Sequence, residues 1–103
     1  MLIQFERTGG FTGLRMKASI DTQSLDPAEA EILANLVRSS DFFNLPETFI
    51  TSSEKVDQFH YRLTIDKEGH THTFYAGESA LPDQIRPLID HLTAFIRQSR
   101  RPI

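Results

Sequence analysis

Cysteine is absent from the 103 residues, which excludes a disulfide framework and any thiolate metal site. No stretch approaches the roughly 18 consecutive apolar residues of a membrane-spanning helix, so no membrane partner is expected. The amino-terminal run Met1-Leu2-Ile3-Gln4-Phe5-Glu6 has neither a basic leader nor a long apolar core. It does not read as a secretory signal, and the cytoplasm is the expected location. Basic charge is not in excess either: eleven Lys and Arg stand against fourteen Asp and Glu, for a net charge of −3. Phosphate recognition is carried by a Lys/Arg surplus, so nucleic acid is not the expected partner. Arg97, Arg100 and Arg101 gather near the carboxyl end, where basic side chains complement a helix C-terminus as well as they would a polyanion.

The signatures of catalysis are missing too. Four histidines raise the question of zinc, which wants three or four ligands and, for catalysis, an open position. His70 and His72 stand two apart and can share one face of a strand, with His60 across a hairpin near the pair. No His-Glu-x-x-His helix occurs, and exposed strand histidines are the plainer reading. None of the serines sits in a Gly-x-Ser-x-Gly elbow. His91 falls beside an apolar helical stripe, as a surface-edge residue. Asp26/Glu29 and Asp83/Asp90 are accounted for by helix caps and solvated faces. No metal, cofactor or catalytic residue is expected, and the chain reads as a non-enzyme.

What the chain does have is periodicity. Its length suits one domain, residues 1–103, with a single core. Ile3 and Phe5 alternate with polar residues, as do Leu14, Met16, Ala18 and Ile20, the pattern of two half-buried strands. Pairing Phe5 with Met16 matches Ile3 with Ala18 and Arg7 with Leu14, and leaves Thr8 to Gly13 as the connecting loop. Phe59, Tyr61, Leu63 and Ile65 predict a third strand. Asp66-Lys67-Glu68-Gly69-His70 suits a type I turn with Gly69 left-handed, a bulged hairpin. The return strand runs from Thr71 to Tyr75. The bulged turn sets Leu63 opposite Thr73, whereas burial prefers Phe74 there.

Asp26-Pro27-Ala28-Glu29 is a helix start, with Asp as N-cap, Pro at the first helical position and Glu closing a capping box. Ile32, Leu33, Leu36 and Val37 form its apolar stripe, ending near Ser39. Phe42, Phe43 and Leu45 are then expected to plug the core. Residues 47–57 read as a loop interrupted by Phe49-Ile50. Leu81, Ile85, Leu88, Ile89, Leu92, Phe95 and Ile96 form the longest helical stripe. Pro87 predicts a short turn at 82–86 before a helix over 87–98. The order is ββαββα: an α+β fold, a four-stranded antiparallel sheet with one face under two helices.

The most informative stretch is Arg7-Thr8-Gly9-Gly10-Phe11-Thr12-Gly13-Leu14. Three glycines within five residues open positive φ to the backbone, and between them sits an aromatic where hairpin loops usually carry polar residues. Two readings follow. Either the glycines turn the chain and Phe11 folds onto the core, or the loop presents Phe11 to a partner. A phosphate cradle fits poorly, because such loops lead into a helix N-terminus and this one leads into a strand.

These residues resemble the Gly-Gly-Phe-x-Gly-aliphatic signature of the emfourin family. The likeness continues through Leu25-Asp26-Pro27, Asp41-Phe42-Phe43-Asn44-Leu45-Pro46, Tyr61-Arg62-Leu63-Thr64-Ile65, Leu81-Pro82 and Ile85-Arg86-Pro87-Leu88. It thus covers nearly the whole chain. The resemblance implies a bacterial, non-enzymatic inhibitor of protealysin-like members of the thermolysin-type zinc metalloproteases, a monomer when free, partnered with a protease of the same cell. On that basis the loop 8–14 is expected to enter the protease cleft, with Phe11 as buried anchor and Leu14 as a second. Gly9, Gly10 and Gly13 would allow close backbone approach, Thr8 and Thr12 would hydrogen-bond to the cleft, and Arg15 would form a rim contact. A zinc-contacting role for His70 and His72 in trans is the weaker option. The alternative class is an intracellular protein-interaction module that uses the same loop, or Phe49-Ile50, on a non-protease partner.

Overall fold

Alternation of apolar and polar residues builds a sheet with the spatial strand order Met16–Asp21 (β2), Leu2–Gly9 (β1), Phe59–Lys67 (β4), His70–Gly77 (β5) and Thr48–Phe49 (β3). The computed structural model describes residues 1–9, 15–49 and 58–99. Strands β1 (Leu2–Gly9), β2 (Met16–Asp21), β4 (Phe59–Lys67) and β5 (His70–Gly77) pair antiparallel. The expected four-stranded antiparallel sheet with two helices is therefore present. A two-residue strand, β3 (Thr48–Phe49), adds to it in parallel beside β5. That segment was expected to be loop. Its pairing rests on backbone groups, including Tyr75 N–H donating to the Glu47 carbonyl at 2.7 Å, and backbone pairing leaves no trace in side-chain periodicity.

One face of the sheet carries Ile3, Phe5, Ile20, Tyr61, Leu63, Ile65, Phe74 and Ala76, all buried. Helices α1 (Pro27–Ser40) and α2 (Arg86–Ser99) supply Leu33, Val37, Leu88, Ile89, Leu92 and Ile96 to the same core. Each such aliphatic or aromatic side chain contributes ~1.5–3 kcal/mol by leaving water. The other face is polar: Gln4, Lys17, Ser19 and Arg62 are exposed, and Thr64 shares a 3.0 Å hydroxyl hydrogen bond with Thr73. A hollow of about 420 Å³ on that face, edged by Gln4, Glu6, Lys17, Ser19 and Arg62, opens broadly to solvent.

The first hairpin differs from its expected register. Phe5 faces Ala18, Ile3 faces Ile20 and Arg7 faces Met16. The slip is two residues, and side chains in a strand repeat every two. Either register thus buries the same set, and burial alone cannot choose. The observed one sets buried Ile3 against buried Ile20. It also brings Thr22 onto the Met1 carbonyl through its N–H at 3.0 Å and its hydroxyl at 3.1 Å.

In the second hairpin Leu63 faces Phe74 and Lys67 faces His70, leaving only Glu68 and Gly69 as the turn. Both have positive φ, 53° and 78°. This is the two-residue primed geometry that follows strand twist, not the bulged type I turn. Burial decided the register, and Glu68 adopts the left-handed backbone that results.

Helix α1 begins at Pro27 with Asp26 at the N-cap, but the Asp26 side chain makes no capping hydrogen bond. The capping box does not form, and the Glu29 carboxylate turns to α2 instead: its Oε1 lies 2.5 Å from His91 Nε2. His91 thereby ties the two helices together and is half-buried, not a bystander at the surface edge. Ile32 was expected in the apolar stripe and is instead 44 % exposed. The buried line runs Leu33, Val37, Ser40, one residue around the helix from the Ile32–Leu36 row. Ser40 takes the buried end by donating to the Val37 carbonyl, and its own carbonyl accepts from Gln84 Nε2 at 2.9 Å. Asp41 then turns the chain with φ 53°, and Phe42 and Leu45 plug the core as expected. Pro87 lies in the first turn of α2, where its missing N–H has no intrahelical partner to lose. Arg97 sits in the last turn of α2, and Arg100 and Arg101 lie outside the described residues.

Candidate functional site

The glycine-rich loop leaves the sheet from the end of β1, and the local chemistry there begins with an unequal pair of neighbours. On one side the β1–β2 ladder stops at Arg7 and Met16. On the other, β1 stays paired with β4 two residues further, Thr8 opposite His60 and Gly9 opposite Phe59. Among the described residues, the loop base at Thr8 and Gly9 therefore pairs with β4 and not with β2.

Gly9 is needed at that point. Its φ is +93°, and a Cβ there would lie 2.6 Å from the carbonyl oxygen of Gln58. No side chain fits, and the backbone conformation is one that glycine alone takes without strain. Gln58 itself is buried, at 9 % exposure, although it is polar. Its Oε1 accepts a hydrogen bond from the Ser79 N–H at 3.1 Å. Its Nε2 lies over Gly77, where a Cβ would approach to 2.9 Å. That Nε2 and the Nδ1 of His60 are buried side-chain nitrogens with no hydrogen-bond partner among the described residues. His60 stacks on Tyr75, ring centroids 6.2 Å apart and planes 9° from parallel.

On the helix-covered side of the same end, the Arg7 guanidinium lies 4.2 Å from the centroid of Phe59, a contact worth ~0.5–1 kcal/mol. Phe59 in turn leans on Tyr61 at 6.5 Å. Burial pushes the Tyr61 phenol pKa up, and the Glu78 charge adds to this. The Arg7 charge and its hydrogen bond to Tyr61 oppose both. The aromatic pair and its guanidinium close the core beneath the loop base.

Of the residues singled out for binding, Thr8 is half-buried at the strand end, Gly9 is pinned as described, and Arg15 is exposed. The Arg15 Nε lies 4.0 Å from the Glu6 carboxylate. Gly10, Phe11, Thr12, Gly13 and Leu14 lie outside the described residues, as do Ile50 and the rest of 50–57. Sequence reasoning missed Gln58, Gly77 and Ser79. A lone Gln before a strand carries no period and no motif, and only the fold brings it between two glycines from other strands.

The histidines do not converge. His72 faces the core side, and its Nε2 is hydrogen-bonded with the Leu45 carbonyl at 2.7 Å. Phe42 and Phe43 pack edge-on against His72 and His70 respectively, at 5.3 and 5.2 Å. His60 was expected beside this pair. It lies instead on the opposite face, at the other end of the hairpin, opposite Gly77. Among the described residues no group of three or more His, Asp or Glu could hold a metal ion.

The model of the family Emfourin matches residues 5–93. The chain belongs to the emfourin family. For this emfourin-family chain the match runs from Phe5 in β1 to Thr93 in α2, so it spans the glycine-rich loop, Gln58 and most of the core. Membership points to a metalloprotease-inhibitor role. Searches of the curated proteins and of the solved structures returned no match. No described helix is long and apolar enough to cross a membrane.

Proposed function

We propose that residues 1–103 act as one emfourin-like inhibitor domain that blocks the active-site cleft of a protealysin-like, thermolysin-type zinc metalloprotease. The glycine-rich loop 8–14 enters the cleft, Phe11 fills an apolar pocket beside the scissile position, and Leu14 is the second anchor. Gly9, Gly10 and Gly13 allow close backbone approach, Thr8 and Thr12 hydrogen-bond to the cleft, and Arg15 contacts its rim. The chain turns over no substrate of its own. The partner is a protease of the same bacterial cell, and the free inhibitor is a cytoplasmic monomer.

The observation that carries this reading is the anchoring of the loop base. Gly9 is fixed against Gln58, and Arg7 is stacked on Phe59, so the loop starts from a point the core already holds. A binding element launched from a fixed base loses less entropy on docking than a free peptide. The family match across residues 5–93 supports the partner class. Titrating the protein into a protealysin-like metalloprotease with a fluorogenic peptide substrate tests it. The expected result is stoichiometric loss of activity, competitive with substrate. No inhibition, or slow digestion of the added protein, overturns the reading in favour of an interaction module with another partner. Light scattering and cell fractionation test the monomeric and cytoplasmic parts.

A further inference from the structure

Gln58 is a buried polar side chain that no part of the loop sequence hints at, yet it touches three separate segments. Its backbone carbonyl fills the space where a Gly9 side chain would be, at 2.6 Å. Its carboxamide fills the space where a Gly77 side chain would be, at 2.9 Å. Its Oε1 accepts from Ser79 N–H at 3.1 Å, in the 3-10 turn that follows β5. Gly77 of β5 thus leaves a slot that the Gln58 side chain fills, while the Gln58 backbone closes on Gly9 of β1. The arrangement has a cost: Nε2 is buried without a hydrogen-bond partner among the described residues. A buried amide donor left unpaired is unfavourable by ~1–3 kcal/mol. A side chain serving only as filler would be better apolar, since Leu or Met would avoid that penalty.

We propose that Gln58 is a positioning residue for inhibition: its side chain, seated against Gly77 and locked by Ser79 N–H, holds in place the backbone carbonyl that closes on Gly9, and so fixes where β1 ends and the inhibitory loop begins. It acts without touching the protease itself. Its effect is on the fraction of molecules whose loop is already in the binding geometry, and apparent affinity falls in proportion to that fraction. The inference rests on the inhibitory reading above.

Two variants test it from opposite sides of the slot. Gln58→Ala keeps the carbonyl beside Gly9 but empties the slot at Gly77 and removes the Ser79 bond, so the carbonyl loses its support. Gly77→Ala keeps Gln58 but presses on its carboxamide; at φ −73° an alanine is conformationally at ease, so its main effect is on Gln58. Each is assayed against a protealysin-like metalloprotease, for inhibition constant and association rate, well below its unfolding midpoint. Amide hydrogen exchange at the Gly9–Phe59 end of the ladder is compared with the Phe5–Leu63 middle. The expected result for Gln58→Ala is an inhibition constant raised on the order of tenfold, carried mainly by slower association. Exchange should be faster at Gly9 while the middle of the ladder is unchanged. Gly77→Ala should move the same quantities in the same direction, less far. Gln58→Met, which fills the slot without the Ser79 bond, should fall between Gln58→Ala and the parent. If Gln58→Ala does not fold, Gly77→Ala decides alone. Parent-like inhibition and association in the folded variants, with a lowered midpoint only, would overturn the positioning role and leave Gln58 as packing. Failure of the parent protein to inhibit would instead overturn the inhibitory reading itself, a result distinguishable from the first.

Discussion

Replacing Gly9 by alanine adds two costs at one position, and the structure separates them. The φ of +93° disfavours any residue with a Cβ, by ~1–2 kcal/mol for a left-handed backbone. The new methyl group would also lie 2.6 Å from the Gln58 carbonyl oxygen. That atom is backbone in the β1–β4 region, so relief requires the strands to shift, an overpacking cost of ~1–3 kcal/mol. The sum, about 2–5 kcal/mol, is a large share of the roughly 5–15 kcal/mol that holds a domain together. Gly69 provides the control. Its φ is +78°, but nothing lies within 4 Å of its would-be Cβ, so Gly69→Ala should cost only the backbone term, ~1–2 kcal/mol. Urea unfolding of both variants and the parent, followed by circular dichroism, measures the difference. Gly9→Ala should be the less stable by at least about 1 kcal/mol. Equal destabilisation of the two would refute the claim that Gln58 closes on Gly9.

Tyr61 supplies a pH test. Its folded pKa is raised above 10.0, by burial first and the Glu78 charge second, so the neutral phenol stabilises the fold fully below the unfolded pKa. That contribution is lost as pH rises through 10 towards the folded value. Stability of the parent should therefore fall more steeply above pH ~10 than that of Tyr61→Phe, and parallel curves would contradict the assignment. In the core, Leu63→Ala should cost ~2–5 kcal/mol, whereas Ile32→Ala at the 44 % exposed position should stay within about 0.5 kcal/mol, both read from denaturant midpoints. A double-mutant cycle on Glu29 and His91, half-buried and 2.5 Å apart, should give a coupling of about 1 kcal/mol. Additive single effects would mean that the contact between the helices does not contribute.

The element order and the identity of the core were legible because they follow from side-chain period. Leu63, Ile65, Leu88 and Leu92 lie where alternation and the helical stripe put them. The errors fall where period is silent. The first hairpin slipped by two residues, a shift that preserves every face. The Glu68-Gly69 turn depends on two backbone angles that composition does not reveal. Ile32 was included in a stripe wide enough to be buried, but α1 rolls onto Leu33, Val37 and Ser40. Glu29 fits a capping box locally and meets His91 through a contact 62 residues away. The site divides in the same way. The glycine-rich loop announces itself in sequence, while Gln58, beside Gly9, has neighbours drawn from β1, β5 and the turn after it. No local pattern encodes such a meeting.

The proposed inhibition of a metalloprotease by this emfourin-family chain turns on Phe11 of its glycine-rich loop. Inhibition by Phe11→Ala, measured against a protealysin-like metalloprotease together with the unfolding midpoint, tests it most directly. An anchor filling a pocket is worth at least ~2 kcal/mol at an interface. The inhibition constant should therefore rise by roughly 30-fold or more while the midpoint stays at the parent value. Unchanged inhibition by the folded variant would contradict the claim, and loss of inhibition together with stability would return Phe11 to the core.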